Sequence, residues 1–237
     1  VETALQFALL STMLVETMNT TIYTASFGQR VNVIKPSISQ PEDVRFIAYV
    51  DDPAIHSTDS NIEYRRPVHL DDNKRRQARW HKCNPHLLFP DADYSLWTDA
   101  NFQVTTNVIK LIRIYLDNSV LCTFKHPWRN CIYKEAKTCI ALRNDDPKII
   151  QAQMEKLHSE GYPANNGLAA TGMMLRRNTV STVNFNQLWW NMIENGSQRD
   201  QLSFDYACWK LGLTYNHFPG YCYKNLLFKH CPHGGMK

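Results

Sequence analysis

Residues 73–104 read NKRRQARWHKCNPHLLFPDADYSLWTDANFQV. Arg75, Arg79 and Lys82 are spaced i, i+4, i+7, so on a helix they share one face. Asp72 or Asn73 can cap the start of that helix. Pro85 ends it before His86 can extend the basic stripe. Pro90 and Asp91 make a turn, and Tyr94-Ser95-Leu96-Trp97-Thr98 has the aromatic, apolar content of a buried strand. Asp99-Ala100-Asn101 follows where that strand runs out. Two short oxygen-bearing side chains two residues apart can face one ion, and a hard cation such as Mg²⁺ or Mn²⁺ prefers oxygen ligands. A metal bridging a diphosphate beside a basic stripe is a donor-activation site for a nucleotide-sugar. Taken singly, a D-x-N is also an ordinary turn, and a basic stripe is also an ordinary solvated face. Their order in one segment is what carries the reading.

The pattern around this stretch alternates. Residues 20–25 and 45–50 read as buried strands and 62–66 as a short third strand. A helix is expected over 104–116, with Val108, Leu111, Ile112 and Tyr115 on one face. Residues 120–124 read as a strand, 131–143 and 147–160 as helices, 170–176 as a strand and 185–194 as a helix. Strands alternating with helices predict an α/β fold, Rossmann-like, with a mostly parallel sheet and helices on both faces. Asp51 ends the second strand, where open α/β sheets bind ligands; it could accept from a base N–H or ribose hydroxyl, or simply form the Asp-Pro turn. Asp200 follows Ser197 at an expected helix start, where the dipole favours its ionised form and a carboxylate could act as general base. It could equally neutralise the helix end, with Arg199 or Gln201 beside it.

The 237 residues bound the rest. Hydrophobic content of 43% supports a substantial core, and the net charge of +4 suits an anionic ligand without the charge density of a dedicated nucleic-acid binder. The seven cysteines (Cys83, Cys122, Cys131, Cys139, Cys208, Cys222 and Cys231) contain no C-x-x-C and complete no zinc pattern. They read as buried thiols in a reducing compartment, the cytoplasm. The sequons at Asn19 and Asn195 are of a kind that arises by chance. The apolar run over residues 4–15 is too short to span a bilayer and lacks a basic start. Residues 1–18 are therefore an N-terminal extension of uncertain origin, with Met18 a conceivable start, and 19–237 a single domain.

The sequence also resembles a family of glycosyltransferase-like proteins once catalogued as a domain of unknown function, with plant mucilage-related members and bacterial and viral relatives. The blocks that carry this are YTASFG (23–28), the run from RxxxRxxK (75–82) through NPHLLFP to YSLWTDANFQV, HPWRNCIYKEA (126–136), GLAATGMMLRRN (167–178) and RDQLSFDY (199–206). The resemblance implies a GT-A-like nucleotide-sugar fold and a metal-dependent glycosyltransferase. Its co-substrate would be a nucleotide-sugar, a UDP-sugar, with Mn²⁺ or Mg²⁺. It implies Thr24, Ala25 and Phe27 as nucleotide contacts, with Asp51, Arg75, Arg79, Lys82 and Asp99 completing donor binding. It places the metal on Asp99, Asn101 and a late histidine, His230 or His233, with His217 a third candidate. His126 could meet donor phosphate or sugar, Arg129 could hold an anion, and Asp200 with Arg199 would serve catalysis. Ala169-Ala170 stands where the family often carries an acidic or polar residue, which leaves sugar recognition open. The acceptor is a glycan hydroxyl or a hydroxylated DNA base; the latter would need a basic groove, including Arg65, Arg66, Arg113, Arg176 and Arg177. The competing class is a non-catalytic nucleotide-sugar or glycan binding module with the same fold, kept open by Asn101 in place of a second aspartate.

Overall fold

Three largely buried strands and a short polar edge strand form the parallel half of the sheet: β1 (Thr20–Ser26), β2 (Val44–Val50) and β4 (Tyr94–Thr98), with β3 (Glu63–Arg65) at the edge. This is a computed structural model that describes residues 18–28, 33–56 and 61–232. The expected extension lies outside the described residues apart from Met18, and His233 lies outside them too. The later strands β6 (Leu121–Lys125), β7 (Ala169–Arg177) and β8 (Asn216–His217) complete a seven-stranded sheet of order β3-β2-β1-β4-β7-β6-β8. β7 runs antiparallel to both β4 and β6; the other pairs are parallel.

That one reversed strand sets the site. The carboxyl ends of β1, β2, β4 and β6 and the amino end of β7 meet at one edge. There the Asp99 N–H donates to the Gly172 carbonyl at 2.7 Å, and the His126 N–H to the Leu168 carbonyl at 2.8 Å. Phe27-Gly28, Asp51, Asp99, His126 and Ala169–Gly172 are thereby gathered at the edge where open α/β sheets bind ligands.

Helices cover both faces, as the alternation predicts. They are α1 (Lys74–Cys83), α2 (Pro85–Leu88), α3 (Val108–Tyr115), α4 (Ile132–Ala141), α5 (Pro147–Ser159), α6 (Val180–Glu194) and α7 (Phe204–Lys210). Strand side chains alternate between two cores. Tyr23, Trp97 and Met174 pack with Cys83 of α1 and Phe185 and Trp189 of α6. Ile22, Leu96 and Leu175 pack on the other face with Val108, Leu111 and Ile112 of α3. A sheet buried on both sides explains why its strands read as apolar runs. Ile132, Cys139, Ile150 and Leu157 form a smaller core under α4 and α5.

Several boundaries differ from the sequence reading. Val104 is in a strand, β5 (Phe102–Val104), and α3 starts at Val108 because the Asn107 side chain accepts from the Lys110 N–H. β5 pairs antiparallel with β9 (Phe228–His230), a tail strand that periodicity does not reveal. α6 begins at Val180, five residues early, because Thr179 and Thr182 form a reciprocal capping box. Asp200 does not open a long helix: it starts a 3-10 turn, Asp200–Leu202, ahead of α7. All seven cysteines are free thiols, six of them buried. Among the described residues no helix is long and apolar enough to cross a membrane.

Candidate active site

Helix α1 aims its amino end at the sheet edge. The Asn73 side chain accepts from the Arg75 and Arg76 N–H groups and fixes where the helix begins. A cleft of about 640 Å³ opens there, lined by Ala25, Phe27 and Gly28 after β1, Lys74, Arg75 and Arg79 on α1, and Asp99 and Asn101 after β4. A helix amino terminus whose first turn brings Lys74 and Arg75 to the cleft favours an anion. Gly28 has φ +77°, a conformation open to glycine, and its N–H donates to the Asp51 carboxylate at 2.6 Å. Asp51 thus braces the loop and does not line the cleft. Thr24 points into the protein, 1% exposed, and does not line it either.

A second cleft of about 280 Å³ adjoins the first, sharing Arg79 and Asp99. His126, Trp128 and Arg129 after β6, Thr171 and Gly172 of β7, Arg199, Asp200 and Gln201, and Tyr223 line it. Asp99 is therefore the junction. Its Oδ1 accepts from the Trp97 indole at 2.8 Å and stands 3.7 Å from Arg79 and 3.8 Å from Lys82.

The basic stripe divides along the helix. Arg75 is exposed, with its guanidinium donating to the Asn144 carbonyl at 2.9 Å. Lys82 is 1% exposed. Its ammonium donates to Asp200 Oδ2 at 2.5 Å and to Thr171 Oγ1 at 3.1 Å, and lies under the rings of Trp97 and Trp189. Lys82 is thus a buried ion-pair partner and lines neither cleft. α1 ends at Cys83, ahead of Pro85 as expected; Pro85 begins α2, and His86 meets Asn186 instead of prolonging the stripe.

Asp200 fares differently from a free base. Oδ2 takes Lys82, Thr171 at 2.9 Å and Arg79 at 3.5 Å. Burial alone would raise its pKa, but Arg79 and Lys82 overcome that and hold the carboxyl well below the usual range. A carboxylate so stabilised takes up a proton poorly. Arg199 donates to Gln201, whose amide donates to the Ala169 carbonyl, so this pair frames the second cleft. His126 Nδ1 accepts from the Trp128 and Arg129 N–H groups, leaving the ring hydrogen on Nε2, 3.8 Å from Glu135. Burial lowers its pKa and outweighs Glu135, so the ring is held neutral on the second-cleft side. Arg129 bonds Glu135 and is no open anion holder.

The β5–β9 pairing sets Phe102 opposite His230 and brings His230 Nε2 within 3.1 Å of Asn101 Nδ2. His217 sits on β8 against Tyr215 and lines neither cleft. Among the described residues no three His, Cys, Asp or Glu side chains gather as a metal-binding group. The expected set is instead one carboxylate, one amide and one imidazole. Those donors fit Mn²⁺ or Mg²⁺ only as a shared site, with phosphate oxygens of a bound donor supplying the missing charge.

The arginines proposed for a DNA groove do not converge. Arg176 is buried, donating to Asn186, the Tyr23 hydroxyl and the Lys82 carbonyl. Arg177 bonds the Leu116 carbonyl and stacks on Tyr94, while Arg65 and Arg66 pair with Glu63 and Asp52. Arg113 is on the outer side of α3, away from both clefts.

Sequence reasoning passed over Lys74, Trp128, Gly172 and Tyr223. Lys74 carried a signal, since it directly follows the capping Asn73. Trp128 sits inside the HPWRNCIYKEA block and Gly172 inside GLAATGMMLRRN, but Tyr223 acquires its place only from the returning tail.

A family model described as "TOD1/MUCI70, glycosyltransferase-like domain" matches residues 11–233. The chain is 26% identical over 140 residues to the probable hexosyltransferase MUCI70 of Arabidopsis thaliana, covering 55% of this chain and 24% of that protein. It is 26% identical over 135 residues to the alkaline ceramidase TOD1 of the same plant, covering 52% and 29%. The chain spans about a quarter of the length of these curated relatives.

Proposed function

We propose, from the premise that this chain belongs to the TOD1/MUCI70 glycosyltransferase-like family, that it transfers a sugar from a nucleotide-sugar to a hydroxyl acceptor. The observation that carries this is the meeting of two clefts at Asp99 and Arg79, at the sheet edge. The larger, cationic cleft suits a nucleoside diphosphate; the smaller one suits an acceptor. Ala25 and Phe27 would flank the nucleoside, and Lys74, Arg75 and the α1 amino terminus would hold the diphosphate. Asp99, Asn101 and His230 would hold a divalent cation together with that diphosphate. When bound, the cation would neutralise charge developing on the leaving group. Arg79, fixed between Asp99 and Asp200, adds a second positive charge at the same junction. Asp200 acts by holding Lys82 and Arg79 in place, and Arg199 and Gln201 frame the acceptor.

The name of the second relative suggests amide hydrolysis of a lipid. The charged first turn of α1 supports sugar transfer instead. The single carboxylate at the junction keeps a binding module without turnover as the second reading.

Thermal stability against a panel of nucleotide-sugars, with Mn²⁺ and with chelator, tests the proposal, because a ligand of the folded state raises the midpoint with concentration. One nucleotide-sugar should raise it, Arg75→Ala should weaken that rise, and release of the nucleoside diphosphate should follow. No response to any donor, or hydrolysis of a fluorescent ceramide, would overturn it. Donor binding without release or transfer would favour the binding module.

A further inference from the structure

The second cleft bears two aromatic side chains that packing does not account for. Trp128 is 73% exposed and Tyr223 57% exposed. Single exposed apolar side chains are common and need no explanation. These two come from segments far apart in sequence, line the same cleft, and lie nearly parallel: interplanar angle 22°, centroids 6.5 Å apart. Each is held from behind by a residue of the site. Trp128 meets His126 edge-on at 5.7 Å, and Tyr223 meets His230 edge-on at 4.9 Å and Phe102 at 6.0 Å. The His126 ring is itself fixed by two backbone donors. The platform is therefore positioned before any ligand arrives, which lowers the ordering cost of binding.

An aromatic face edged by hydrogen-bonding groups, here Arg199 and Gln201, matches a pyranose ring, which offers a C–H face to stack and hydroxyls at its rim. A nucleobase would also stack. A nucleic-acid strand, however, brings a phosphate with every base and needs cations along its path. Here Arg129 is paired with Glu135, and Arg176 and Arg177 are bonded inside the fold.

We propose that Trp128 and Tyr223 form the stacking platform of the acceptor subsite and that the acceptor is a pyranose unit of a glycan. This rests on the sugar-transfer reading, and its test separates the two. Wild type, Trp128→Ala, Tyr223→Ala and Trp128→Phe are compared with short cello-, xylo-, galacto-, malto- and galacturono-oligosaccharides as acceptors, and with a single-stranded oligonucleotide carrying hydroxymethyl pyrimidines. Each is read for nucleotide-sugar binding, donor hydrolysis by water and transfer to acceptor. In the alanine variants the acceptor KM should rise about tenfold or more while the donor KM changes far less, as loss of a stacking face predicts; Trp128→Phe should recover most of it. An unchanged acceptor KM in both alanine variants overturns the platform. So does a wild type that uses none of the oligosaccharides, or that uses the oligonucleotide in their place. If wild type binds no nucleotide-sugar, the transfer reading falls by itself. The platform then stands or falls on Trp128-dependent binding of the same oligosaccharides, measured calorimetrically.

Discussion

Arg75 and Lys82 lie on one face of α1, two turns apart, and carry the same charge. Arg75 is exposed at the amino end and faces the larger cleft. Lys82 is 1% exposed at the carboxyl end, closed in by Asp200, Thr171, Trp97 and Trp189. The exposed charge, held by the Asn144 carbonyl, stays in contact with water at the cleft. The buried one has given up water and depends chiefly on Asp200, with Asp99 farther off at 3.8 Å. A stripe of like charge along a helix can therefore hold a ligand at one end and hold the protein together at the other.

The sharpest way to break this contrast is to remove the buried cation. Lys82→Met should cost about 3 kcal/mol in urea unfolding, because buried Asp200 loses its nearest cation and keeps only Arg79, at 3.5 Å. Lys82→Met combined with Asp200→Leu should recover most of that loss, since an apolar pair of similar volume avoids desolvation altogether. If the double variant is no more stable than the single, Lys82 acts through something other than its charge.

At the junction, Asp99→Asn should lower transfer about a hundredfold or more while leaving the unfolding midpoint nearly unchanged, because the amide oxygen can still accept from Trp97. Steady-state rates with saturating Mn²⁺ check this; wild-type rates would show that Asp99 is no part of the chemistry. At the exposed end, Arg75→Ala should weaken donor binding about tenfold, the worth of a charge-assisted hydrogen bond, yet change stability by no more than about 0.5 kcal/mol. A large stability loss there would make the two ends of the helix alike after all.

Two buried acids sharpen the point through pH. Asp200 titrates below its ordinary 3.8, so its stabilisation is complete above that value and is lost as the pH falls through the lower folded value. Asp205, five residues on, accepts from the Ala169 N–H and the Tyr215 hydroxyl, has no ion pair among the described residues, and is raised by burial to about 6. It contributes stability below its unfolded value of 3.8 that is lost as the pH rises through about 6. Unfolding midpoints from pH 3 to pH 7 should flatten at the acid end in Asp200→Asn and at the upper end in Asp205→Asn. The smallest effect is expected at Gly28, where φ of +77° makes Gly28→Ala cost about 1 kcal/mol.

The sequence by itself determined the sheet's parallel half, the helix that crosses the site and the turn that presents Asp99. Those features are written in neighbouring residues: apolar runs for β1, β2 and β4, the i, i+4, i+7 stripe of α1, and a D-x-N directly after a buried strand. The same local evidence reached Arg75, Arg79, Asp99 and Asn101, and the family resemblance added Ala25 and Phe27; all six line the larger cleft. Tertiary structure alone decided which charges remain open to a ligand. Lys82 meets Asp200 across 118 residues of chain, and Asn101 meets His230 across 129. Arg176 reads as a surface cation until the strand that carries it is inserted, reversed, between β4 and β6. The physical reason is range. Helix faces and strand alternation arise from contacts a few residues apart, whereas desolvation and ion pairing depend on what the folded chain places within a few ångströms, wherever it lies in the sequence.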